Sequence, residues 1–114
     1  MLRHKALKSA IDNNNIESVS SIYNLKGIAT TLTYDESLGI SLTSFHYAAM
    51  LLHYEICGIL VDEIEMEDLN IITSDGILLT DILIYNYLEE HTSVEDKVKI
   101  ETLFSKILHK KSLL

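Results

Sequence analysis

Proline is absent from this 114-residue chain and glycine occurs only four times. Few positions therefore enforce a break, and helices have to be located from periodicity and polar interruptions. A single cysteine, Cys57, excludes an internal disulfide and any metal site built on paired thiolates, and a reducing, cytoplasmic setting is expected. The longest apolar stretch, Ile77 to Ile84, is interrupted by Asp81, and the N-terminal bases Arg3, Lys5 and Lys8 precede no apolar run. Neither a membrane span nor a signal peptide is expected. Bases are also missing from the middle of the chain. Between Ser9 and Val94 there are fourteen acids and one base, Lys26, within a formal net charge of -8. Most of such a surface repels nucleic acid. The acid block either keeps a small domain dispersed or steers it toward a basic partner.

Catalytic signatures are lacking as well. No G-x-S-x-G elbow, P-loop or dinucleotide fingerprint occurs. The histidines, at 4, 46, 53, 91 and 109, lack the close pairing of a zinc site. The acid run Asp62-Glu63-Ile64-Glu65-Met66-Glu67-Asp68 lacks the central glycine of a calcium loop. Cys57 sits where a small buried apolar residue belongs. The expectation is a non-enzyme with no metal and no cofactor.

What is present is helical spacing. Leu7, Ala10 and Ile11 form one stripe, Asn13-Asn14-Asn15 interrupts it, and Ile16, Val19, Ile22 and Tyr23 begin the next. Phe45, Ala48, Ala49 and Leu52 are followed after His53 by Ile56, Ile59 and Leu60. Leu79, Ile82, Leu83 and Asn86 are followed by Val94 to Leu108 with Val98, Leu103, Phe104 and Ile107. Each pair reads as a helical hairpin. Between the hairpins, Thr31 to Thr43 alternates around Asp35-Glu36-Ser37 as a short β-hairpin, and Asp68 to Gly76 ends in the turn Ser74-Asp75-Gly76.

The units also resemble one another. Ala10 to Val19 superposes on Ala48 to Cys57 at a shift of 38 residues, with Glu17 falling on Glu55. Thr43-Ser44-Phe45-His46-Tyr47-Ala48-Ala49, then His53-Tyr54-Glu55-Ile56-Cys57 and Ile59-Leu60, resembles the ankyrin repeat unit, as does Asp68-Leu69-Asn70 followed by Asp75-Gly76. Leu52 stands where that pattern has glycine, and proline is missing from the helix starts. The resemblance implies an all-α repeat fold, an α-solenoid of about three helical hairpins joined by short β-hairpin fingers. It implies one domain over 1-114, with units of roughly 1-30, 31-67 and 68-114. It also implies a structural role for His46, tying a helix start to the neighbouring loop, with Thr43 as the N-cap beside it and His53 at the inter-helix turn.

Functionally, the resemblance implies a protein-protein interaction module, an adaptor or inhibitor whose partner is another protein. The binding platform would comprise Tyr34, Asp35, Glu36 and Leu38 on the first finger and Ile71, Ile72, Thr73 and Asp75 on the second. Met50, Leu51, Tyr85 and Asn86 would line the inner helices. Tyr34 and Tyr85 could equally be packed between units. Glu63, Glu65 and Glu67 are the candidate steering acids for a basic protein surface. Two versions fit the acidity and size: an immunity-type protein that neutralises a basic toxin, or a bacterial or viral effector delivered into a host cell. A monomer is expected. The alternative is a self-associating structural module pairing through Ile100, Leu103 and the terminal Leu113-Leu114.

Overall fold

Asparagine punctuates the N-terminal helices. The computed structural model describes residues 2 to 112. Helix α1 (Leu2–Asp12) turns Leu7, Ala10 and Ile11 into the core and stops at Asn13, beyond which Asn14 takes a left-handed conformation at φ 49°. Asn15 then caps α2 (Ile16–Ser20), its side-chain oxygen accepting from the Ser18 N–H at 3.1 Å. The apolar spacing carries this second stripe on through Ile22 and Tyr23, and the structure breaks it. The hydroxyls of Ser20 and Ser21 donate back to the carbonyls of Ile16 and Ser18. Asn24 is left-handed at φ 57°, and a separate helix, α3 (Leu25–Ala29), follows.

The chain then forms a finger of β1 (Thr33–Asp35) and β2 (Ile40–Leu42), paired antiparallel with Tyr34 opposite Ser41. Helices α4 (Ser44–Met50) and α5 (Tyr54–Glu63) make the central hairpin. Its turn repeats the first one 38 residues on. His53 N–H donates to the Ala48 carbonyl at 3.0 Å, as Asn15 does to Ala10 at 2.8 Å, and Leu52 occupies the place of Asn14 at φ 64°. Asparagine tolerates this conformation, whereas a leucine there is strained by about 1 to 2 kcal/mol. Because the Leu52 side chain is exposed, Leu52→Gly is expected to raise stability by about 1 kcal/mol, seen as a higher urea midpoint. A lower midpoint would show that the leucine makes contacts worth more than its strain.

Thr43 closes the N-terminus of α4 as expected. Its Oγ1 accepts from the His46 N–H at 3.2 Å, and its own N–H donates to His46 Nδ1 at 3.2 Å. The other ring nitrogen of His46 donates to the Ile71 carbonyl at 3.1 Å, fastening the second finger to the helix start. His53 precedes α5 without a side-chain cap bond. Burial holds the His46 pKa below its ordinary value of 6.5, against the opposing pull of the Ile71 carbonyl and Asp75. The unfolded chain therefore binds a proton that the folded one resists. Stability is expected to be full above about pH 6.5 and to fall as the pH drops toward the folded-state pKa. Urea titrations at about pH 7.5 and about pH 5.5 check this, and His46→Gln should flatten the acid-side slope.

A 3₁₀ turn over Met66–Asn70 leads to the second finger, which closes on a single bridge between Ile72 and Leu78. Helices α6 (Leu79–Leu88) and α7 (Val94–Ser112) complete the chain. Helix α4 packs against α1 and α6, while α5 packs against α2, α3 and α7. Leu7, Ile56, Leu60, Leu83 and Ile100 fill the space between these rows and are fully buried.

The expected α-solenoid is corrected by this architecture. The described residues form a small compact globule of seven helices and a two-stranded antiparallel sheet, 64% helical. Its extents of 35, 33 and 29 Å define no long stacking axis. The physical reason is that the units are unequal. The first return limb is split into two five-residue helices, the last is one helix of 19 residues, and only the first finger forms a sheet. A regular solenoid requires each unit to offer its neighbour the same face.

Candidate protein-binding surface

The first finger is rigid for a local reason. Asp35 Oδ1 accepts from the Ser37 N–H at 2.9 Å, the Ser37 hydroxyl at 2.6 Å and the Leu38 N–H at 3.1 Å. Gly39, at φ 71°, completes the turn. These bonds, the Ser37 hydroxyl first, hold the Asp35 pKa below the usual carboxylate value. The second tip is built the same way. Thr73 donates its hydroxyl to Asp75 and accepts the Ile77 N–H at 3.0 Å, and Gly76 turns at φ 83°. The tips are joined by two bonds, Ser74 N–H to the Ser41 carbonyl and Ser41 N–H to Ser74 Oγ, each 2.9 Å.

These bonds separate the candidate residues into two sets. Tyr34 (65% exposed), Glu36, Leu38, Ile72 and Asp75 stand out from the joined tips, and Leu51 and Tyr85 (69% exposed) are held out from the helical body. The other candidates serve the fold. Thr73 is buried as a turn former, Ile71 receives the His46 bond, and Met50 is half-buried against the core. Asn86 donates its side-chain N–H to the Ala49 carbonyl at 3.0 Å, tying α6 to α4. Asp35 spends its carboxylate on the turn.

Beside the first finger, an open groove of about 380 Å³ runs between the strands, α1 and the start of α4. Lys5 and Lys8 form one wall and Thr33, Tyr34 and Tyr47 the other side. The Lys8 ammonium lies 5.3 Å from the Tyr47 ring centroid and 3.7 Å from Asp12. The Tyr47 hydroxyl donates to Asp12, which, with burial, pushes its pKa up to about 12. Nothing in the sequence pattern marks Lys5 and Lys8 as the wall of a groove. No periodicity places α1 beside a finger starting more than twenty residues later.

The steering acids are unequal too. Glu65 pairs with Lys26 at 3.1 Å, and the neighbouring Asp62 with Lys106 at 2.9 Å. Glu63 and Glu67 are exposed. The face proposed for self-pairing is also revised: Ile100 and Leu103 are buried in the core, and Leu113-Leu114 lie outside the described residues. Cys57 is fully buried, and burial pushes its thiol up to about 12, which suits a packing role rather than a nucleophile. Among the described residues, no group of three or more His, Cys, Asp or Glu is placed to hold a metal ion, and no helix is long and apolar enough to cross a membrane.

No family model, curated protein or solved structure matches this chain.

Proposed function

We propose that this chain is a non-catalytic protein-binding module, an adaptor or inhibitor that docks a partner with a basic surface against the joined finger tips. The observation that carries the reading is the presentation of Tyr34, Leu38 and Ile72 on tips fixed by their own hydrogen bonds and by each other. Large apolar side chains held out on a rigid frame lose little conformational entropy when a partner covers them, which is what a binding anchor requires. Acids flank these anchors, Glu36 on the first tip and Asp75, which also accepts the Thr73 hydroxyl, on the second, while Lys5, in the adjoining groove where Lys8 already pairs with Asp12, calls for a carboxylate of the partner. The favoured partner is thus basic overall, with an acidic group at one edge.

The test is affinity capture from the source lysate with two baits, the wild-type chain and a variant carrying Tyr34→Ala and Ile72→Ala. A basic protein held by the first, lost from the second and released by salt supports the proposal. Partners retained equally by both baits would place binding elsewhere. With a partner in hand, charge reversal at Glu63 and Glu67 is expected to slow association and flatten its salt dependence while leaving dissociation nearly unchanged. An unchanged rate and salt slope would reduce that acid run to solubilising surface.

A further inference from the structure

The hairpin of α6 and α7 leaves its outer seam uncovered. Ile84, Tyr87 and Leu88 of α6 and Glu101 and Phe104 of α7 line an apolar groove of about 270 Å³ there. Leu88 is 73% exposed and Val94, at the start of α7, is 79% exposed. The polar groups on this seam are arranged in order. The Lys97 ammonium lies 5.4 Å from the Tyr87 ring centroid, and the Tyr87 hydroxyl donates to Glu101 at 3.2 Å.

Along α7, Val94, Lys97, Glu101 and Phe104 follow one another at intervals of three, four and three, the spacing of one helix face. Read from the other end, apolar, base, acid, apolar becomes apolar, acid, base, apolar, so an antiparallel copy sets each charge against its opposite. A two-fold axis at the level of Lys99 sets Val94 against Phe104 of a second copy and Lys97 against Glu101, and repeats both contacts by symmetry. The distribution of charge is compatible with this occupant. Helix α7 carries five lysines and three acids, whereas the rest of the chain carries fourteen acids and four bases. A two-fold contact through α7 thus keeps the acid-rich remainders of the two copies apart, and the reciprocal Lys97 and Glu101 pairs offset the excess of lysine on the two helices.

We infer that this seam is the contact face of a homodimer in which α7 lies antiparallel to α7 of a second copy, Lys97 meeting Glu101 in both directions. It shares no residue with the finger surface. Sedimentation equilibrium of the full chain tests it, with a mass that rises with concentration from 12.9 kDa toward twice that value. Lys97→Glu is expected to weaken the dimer about tenfold or more by setting carboxylates against each other at both symmetric contacts, and adding Glu101→Lys is expected to restore it. Val94→Asp, at a site outside the core, should also weaken it while the circular dichroism stays that of the wild type. A mass fixed at 12.9 kDa at all concentrations, or a dimer indifferent to these changes, overturns the inference.

Discussion

Leu60→Ala is expected to lower stability by about 2 to 5 kcal/mol, enough to unfold a large part of a domain of this size. Leu60 lies on α5, which packs against α3 on one side and α7 on the other, and its side chain is fully buried. Truncation removes apolar contacts on both sides of the helix at once. The backbone hydrogen bonds of α5 limit how far the neighbours can close on the void, so the loss includes a cavity term as well as a transfer term. The measurement is urea unfolding followed by circular dichroism. Leu51→Ala, at an exposed position, is the control and is expected to change stability by about 0.5 kcal/mol or less. A loss below about 1 kcal/mol for Leu60→Ala would mean that α5 is not the element joining the two ends of the core.

The second large effect falls on binding and spares the fold. Tyr34→Ala together with Ile72→Ala is expected to weaken binding of the partner by roughly a thousandfold, at about 2 kcal/mol for each anchor that the partner buries. Both side chains are exposed in the unbound chain, and neither belongs to the core. The unfolding midpoint is therefore expected to stay close to that of the wild type. That separation is the point of the pair. Lost affinity with unchanged stability identifies a contact surface, whereas a joint loss would show that the tips support the body of the fold.

Much of the local structure was legible in the sequence because it depends on near neighbours. The helix stripes around Ala48 and Leu83 gave hairpins where the structure has them. Thr43 and His46, three residues apart, form the reciprocal cap, and Asp35-Glu36-Ser37 lies at the first finger's turn. The broken return limb was harder to see. Ile22 and Tyr23 keep the apolar spacing of a helix, yet the seryl back-bonds and the left-handed Asn24 end it, and periodicity does not register such competition. The global form departs from the expected solenoid for a related reason. Recurring short motifs fix turns and caps, but stacking into a solenoid depends on the lengths and faces of whole units, and those differ here.

The candidate surface divides along the same line. Leu38, beside the turn of the first finger, could be placed from the sequence, whereas Tyr34 could be exposed or packed between units on the same pattern. Asn86 could not, because its bond to Ala49 joins distant segments, and the burial of Thr73, whose hydroxyl bonds only its near neighbours Asp75 and Ile77, comes from packing that no local pattern registers. The groove walled by Lys5 and Lys8 was invisible for the same cause, being made by segments distant in sequence.

The most direct test of a binding face on the finger tips is amide hydrogen exchange of the chain alone and saturated with its captured partner. Slowed exchange is expected over 33–42 and 71–78, with the amides of α2 and α5 unchanged. Protection confined to α2, α3 and α5, with the tips exchanging as fast as in the free chain, would contradict it.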